Sequence, residues 1–177
     1  NEGVHMLYSQ FRTLEGIGIF AAVLEANGFE RLSLKKRDGA WTLSPPPDPS
    51  KNGRRYALYT GTESSEEREL VRNIHNGAWG DIPQSLAEEL RRVHGNNHLG
   101  EVVKLLMITA SGSEGINLRN TRFVHVMESY WNPVRTEQVI GRARRICSHV
   151  DLPEEMRTVD VFVYLSQLSD AQLESDE

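Results

Sequence analysis

Gln138, Gly141, Arg142 and Arg145 follow one another at helical spacings of three, four and seven, which places an amide and two guanidiniums on one face. Guanidiniums held in this way can neutralise charge on a transferring phosphoryl group through fixed, charge-assisted hydrogen bonds. Such an arginine is worth a rate factor of about 10³–10⁵, or roughly 4–7 kcal/mol. A solvated basic face is the commoner meaning of an arginine run. Gly141 argues against it, because a mid-helix glycine costs about 1 kcal/mol relative to alanine and leaves room for close approach. Asn132 is a good N-cap and Pro133 suits the first helical position. The expected helix therefore starts there and runs to about Ile146, burying Val139, Ile140, Ala143, Ile146 and Cys147 on its opposite side.

A second set of candidates needs strands to present it. Val4–Tyr8, Tyr56–Tyr59, Lys104–Ala110, Phe123–Met127 and Thr158–Tyr164 read as strands, with Arg31–Leu34 a weaker one. Helical periodicity occupies Thr13–Asn27, Ser64–Asn76 and Asp81–His94. The run Lys104–Ala110 is nearly all apolar, as expected of a strand covered on both faces. Alternating strands and helices imply an α/β fold, a parallel sheet with helices on both faces. Ligands bind such sheets beyond the carboxyl ends of the strands. That rule selects the segments after Tyr8, Tyr59, Ala110 and Met127. Backbone N–H groups and hydroxyls in Thr60-Gly61-Thr62 and in Thr109 to Gly112 can position a phosphodiester backbone without reading bases.

The chain has 177 residues, 38% hydrophobic and 25% charged, enough for one domain with a sizeable core. A net charge of −5 means that a polyanion must be held by local patches. The single cysteine, Cys147, excludes an internal disulfide and fits a reducing, intracellular setting. No run is long and apolar enough to span a membrane. The start at Asn1, directly before a strand, is what is expected of a domain cut from a longer protein. The expected domain covers 1–165, with excursions near 35–55 and 78–100, and 166–177 form an acidic tail. Prolines 45–47 and 49 mark the first excursion as surface, with Trp41 tacked onto the body.

Three motifs are set aside. Gly16-Ile-Gly18-Ile-Phe-Ala21 matches a dinucleotide-binding glycine pattern, but seven residues separate it from the strand end at Tyr8. Its glycines are expected to serve close helix packing. His94 and His98 have ligand-like spacing, yet Gly95 and two asparagines break the register, so no metal site is expected. No G-x-x-x-x-G-K-[ST] run is present, so the chain should not hydrolyse ATP alone.

Taken together, the motifs resemble the second RecA-like domain of superfamily-two helicases and translocases, within them the Swi/Snf-type ATPases and the related helicases of large DNA viruses. Leu7-Tyr-Ser-Gln-Phe11 resembles the motif that opens that domain. Gly61-Thr-Glu-Ser-Ser-Glu-Glu-Arg68 resembles the next nucleic-acid-facing motif. Thr109–Leu118, with Gly115-Ile-Asn117, resembles motif V. Trp131-Asn-Pro133 and Gln138-x-x-Gly141-Arg142-x-x-Arg145 resemble the Trp-Asn-Pro element and motif VI.

The resemblance implies a nucleic-acid-dependent ATPase in which Arg142 and Arg145 reach ATP and Mg²⁺ held mainly on a first RecA-like domain. Gln138 would couple the terminal phosphate to domain movement. Gly115 and Asn117 would line the nucleotide side, and Glu114 would either orient a ribose hydroxyl or sit at a helix start. Ser9, Gln10, Gly61, Thr62 and Thr109 would touch a DNA or RNA backbone. Trp131 is expected to pack and Cys147 to be inert, while Arg144 is expected either to face solvent or to meet the nucleic acid. Cys147-Ser148 stands where Swi/Snf-type remodelling enzymes have Gly-Gln, and 78–100 exceeds their connection. Both departures resemble the viral group. The alternative from another class is a non-catalytic nucleic-acid or protein-binding module that kept the fold.

Overall fold

The computed structural model describes residues 2–13, 15–46, 48–113, 115–128, 130–165, 167 and 169. Six strands form one wholly parallel sheet: β1 (Val4–Ser9), β2 (Glu30–Arg31), β5 (Arg55–Tyr59), β6 (Leu105–Thr109), β7 (Thr121–Val126) and β8 (Asp160–Val163). Their spatial order is β2-β5-β6-β1-β7-β8, so β1 and β6 lie at the centre. The register pairs Ser9 with Thr109 and Tyr59 with Ile108, which brings three strand ends together.

Alternation along the strands sorts the core. Met6, Tyr8, Ala57, Tyr59, Leu106, Ile108, Val124 and Val126 face one side. There they pack against α2 (Ser65–His75), α3 (Gln84–Val93) and α5 (Pro133–Ile140). Leu7, Tyr56, Leu105 and Met107 face the other side and meet α1 (Ile17–Ala26). The expected α/β architecture with helices on both faces is present, and it is RecA-like. The short α4 (Ala110–Ser113) leaves the end of β6.

Several elements depart from expectation. The segment beyond β2 is a paired hairpin, β3 (Ser33–Arg37) and β4 (Ala40–Ser44), and not an irregular excursion. Leu34, Trp41 and Leu43 are buried in the main core, so Trp41 does anchor to the body. Asp38 and Gly39, at φ 49° and 81°, turn it; the two positive values suit a two-residue hairpin turn. α3 begins at Gln84, after a 3-10 turn at Trp79–Asp81, and α1 begins only at Ile17. Gly16 serves that start. A Cβ there would lie 2.2 Å from the Phe11 carbonyl oxygen and 2.4 Å from Ser9 Oγ. Its close approach is to the loop after β1, not to another helix. Apart from 167 and 169, the expected acidic tail 166–177 lies outside the described residues.

Candidate nucleotide and nucleic-acid interface

Two polar clusters lie at different ends of the sheet. The first caps the carboxyl ends of β1, β5 and β6. Ser9 is fully buried, with Oγ 2.9 Å from Glu128 Oε1 and 3.0 Å from the Phe11 carbonyl. The Gln10 N–H donates to Glu128 Oε2 at 2.9 Å. In the neighbouring loop, Glu63 accepts from the Thr60 and Gly61 N–H groups at 2.9 and 3.1 Å and from the Thr60 hydroxyl at 2.9 Å. Burial acts to raise the Glu63 carboxyl, but these bonds outweigh it and hold the group below its ordinary range. Thr109 is also buried, and its hydroxyl donates to the Thr60 carbonyl at 3.0 Å. Ser111 Oγ reaches the same carbonyl at 2.8 Å. Gly61, at φ +87°, packs its α-carbon on Ser111, where a Cβ would lie 3.0 Å from the hydroxyl. Of the expected backbone contacts, Gly61 and Thr62 are exposed and Gln10 is half-buried, whereas Ser9 and Thr109 turn inward.

The second cluster lies beside the entry to β7. Asn132 caps α5, its side-chain oxygen accepting the Val134 N–H at 3.0 Å. The helix stops at Ile140 with Gly141 as its C-cap, not at Ile146. Val139, Ile140 and Ala143 are buried as the wheel requires, but Ile146 is 97% exposed and Cys147 is exposed at φ +61°. The reason is a set of bonds that peel the chain off the helical path. Ser148 Oγ approaches the Ala143 and Arg145 carbonyls at 3.1 and 2.8 Å. The Ser148 carbonyl accepts from Asn120 N–H at 2.8 Å, and His149 Nε2 lies 2.8 Å from the Thr121 carbonyl. Cys147 thus occupies a left-handed position that favours glycine.

These contacts set the address of Arg142. Its carbonyl accepts from Leu118 N–H at 3.4 Å, three residues before β7 begins. α5 starts beyond the carboxyl end of β7 and carries its arginines back toward that strand's start. They are therefore not grouped with the first cluster at the mouth of the sheet. Arg142 is half-buried, Gln138 and Arg145 are exposed, and none of the three side chains has a partner among the described residues. Ile116 and Leu118 are buried, whereas Gly115 and Asn117 are exposed. Gly115, at φ +72°, has nothing within 4 Å of where a Cβ would be. Asn76, at the end of α2, clamps this stretch by donating to the Asn117 carbonyl at 3.0 Å and accepting the Arg119 N–H at 2.8 Å. Glu114 lies outside the described residues. Trp131 is not packed: it is 84% exposed, beside Tyr130.

Glu63, Glu128 and Asn76 were not among the expected site residues, yet each fixes a loop that holds some. Glu128 had a readable signal, since it follows the strand that pairs with β1. Among the described residues no group of three or more His, Cys, Asp or Glu could hold a metal ion. No helix among them is long and apolar enough to cross a membrane.

The family description "Helicase conserved C-terminal domain" matches residues 49–147, more than half of the chain. The chain belongs to that family. This helicase C-terminal domain is similar to a "Putative ATP-dependent RNA helicase" of Acanthamoeba polyphaga mimivirus, at 29% identity over 99% of the chain and 25% of the relative. A "Termination factor NPH-I homolog" of African swine fever virus is 31% identical over 93% of the chain and 24% of the relative. Among solved structures, the C-terminal part of the Fun30 ATPase domain shares the fold at a TM-score of 0.53. Its identity is 14%, covering 91% of this chain and 34% of that one. The helicase C-terminal domain spans about a quarter of the length of these viral relatives. The expected resemblance to a helicase C-terminal domain, with relatives among the viral helicases, is met.

Proposed function

We propose that this domain is the second half of a motor that couples ATP hydrolysis to movement on a nucleic acid. The observation that carries the reading is the second cluster. Gln138, Arg142 and Arg145 leave their side chains without partners among the described residues, on a segment bonded through Arg142 to the motif V stretch. Open space at Gly115 adjoins an exposed Asn117. Such a surface suits the phosphate end of a nucleotide held on a facing RecA-like domain. The two guanidiniums supply fixed positive charge where negative charge develops, and Gln138 orients the terminal phosphate. The described residues offer no carboxylate set for Mg²⁺, which would neutralise phosphate charge from the first domain.

The first cluster supplies the track. Exposed Gly61 and Thr62, with half-buried Gln10, meet a phosphodiester backbone. Ser9 and Thr109 hold those loops in place from beneath, a positioning role in this conformation. RNA is the first strand to try, because a relative is described as an RNA helicase.

The test is ATPase assay of the full protein with and without RNA and DNA. Arg142→Ala and Arg145→Ala should each lower stimulated turnover by about 10³–10⁵, in the range of a lost arginine finger, with nucleic-acid binding retained. Normal turnover in both variants would overturn the assignment. Absence of turnover in the unmodified protein would favour a binding module.

A further inference from the structure

The β3–β4 hairpin is anchored to the core, and its two faces differ in kind. Leu34, Lys36, Trp41 and Leu43 share the inward face, paired Leu34 with Leu43 and Lys36 with Trp41. Three of them are buried in the core. The Trp41 indole N–H donates to Glu66 at 2.7 Å, and Lys36 pairs with the same carboxylate at 3.0 Å. The outward face carries Ser33, Lys35, Arg37, Ala40, Thr42 and Ser44: two cations, three hydroxyls and no carboxylate. A core-anchored hairpin is not needed merely to keep two cations solvated.

Position gives the outward face its meaning. Glu66 lies in the first turn of α2, directly after the Thr60–Glu63 loop. The Lys36 and Trp41 anchors, next to the tip, therefore fix the tip beside that loop. Behind it, a hollow of about 370 Å³ is lined by Arg37, Thr42, Ser44 and, from α3, Glu89 and Arg92. Lys35, Arg37 and Arg92 are exposed and have no side-chain partner among the described residues. The nearby carboxylates are Glu66 and Glu89, both engaged, the latter by Leu43 N–H at 3.1 Å, and Asp38 at the tip. Lys35 and Arg37 are two strand residues apart, about 6.8 Å, twice the axial rise of about 3.4 Å per nucleotide of one strand.

We propose that the outward face of the β3–β4 hairpin, with Arg92, is a second contact for the phosphodiester backbone, extending the path beyond the strand-end loops. It rests on the nucleic-acid reading above, and it adds charge where the chain as a whole, at −5, repels a polyanion. The contact is to phosphate and carries no base preference.

Binding of RNA and DNA by the full protein, titrated against salt, tests it. Each lost phosphate contact lowers the slope of log K on log salt by about 0.7–0.9. Lys35→Ala with Arg37→Ala should therefore lower the slope by about 1.4–1.8 and weaken binding about 25- to 60-fold near 0.1 M salt. Lys35→Arg with Arg37→Lys should bind like the unmodified protein. An unchanged affinity and slope in the alanine pair overturns the proposal, and is the result expected if the face meets an acidic protein. Equal loss in the charge-keeping pair also overturns it, because the loss would not follow charge. If the unmodified protein binds no nucleic acid, the broader reading fails and takes this one with it.

Discussion

Asn97→Ala should be among the most damaging single substitutions in this chain, although Asn97 lies far from any expected site in sequence. Its side chain is fully buried and uses four bonds. The amide N–H group donates to the His75 and Val103 carbonyls at 2.9 and 3.0 Å, and the oxygen accepts from Val102 and Val103 N–H at 2.9 and 2.8 Å. It thus ties the end of α2 to the turn entering β6. At a net value of about 1 kcal/mol each, four bonds give about 4 kcal/mol, and the stranded backbone groups push the cost higher. That is a large part of a total stability of about 5–15 kcal/mol. In urea, with a slope of about 2 kcal/mol/M, the midpoint should fall by about 2 M. Asn97→Asp keeps both acceptor bonds but sets a carboxylate against two carbonyls, so it should be no more stable than the alanine variant at neutral pH. A midpoint shift below about 0.5 M in the alanine variant, at unchanged slope, would refute the reasoning.

Burial lowers the fully buried His75 imidazole from 6.5 to about 3. The unfolded chain therefore binds the proton first. Stability from this group is whole above pH 6.5 and is lost as pH falls toward 3, by about 2 kcal/mol at pH 5 relative to pH 7. His75→Gln should flatten that part of the pH profile in urea titrations, and parallel profiles would count against it. Gly16→Ala forces a Cβ onto the Phe11 carbonyl and the buried Ser9 hydroxyl, neither of which can swing aside. A loss of about 1–3 kcal/mol is expected from overpacking, and an unchanged urea midpoint would show that the loop after β1 yields freely.

The sheet was legible because its strands are short apolar runs between polar ends. The weak strand expected at Arg31–Leu34 is instead split, Arg31 ending β2 and Ser33 and Leu34 opening β3 of the hairpin. What the pattern could not give was direction and stopping. On a wheel, Ile146 and Cys147 continue the apolar face of α5, and only Gly141 hinted that the helix ends. The bonds that redirect the chain come from Asn120 and Thr121, more than twenty residues earlier. The hairpin was hidden by its neighbours: prolines 45–47 and 49 made the whole segment read as irregular. Yet Asp38-Gly39 between Leu34-x-Lys36 and Trp41-x-Leu43 is a hairpin signal in itself. The inward turn of Ser9 and Thr109 could not be read at all, since a hydroxyl beside a strand end serves a ligand or a neighbouring carbonyl equally well.

The parallel topology explains why the two clusters are separate yet joined. β6 delivers Thr109 to the carboxyl ends, and the chain must then cross back to start β7 at Thr121, passing Gly115 and Asn117 on the way. β7 in turn delivers Glu128, which grips Ser9 and Gln10. α5 returns the chain to Leu118 a second time. Both connections that pass through the proposed nucleotide face thus begin at the proposed nucleic-acid face. α5 is about 12 Å long and seated by Val139 and Ile140. β7 and α5 each have one end at the proposed nucleic-acid face and the other at the proposed nucleotide face.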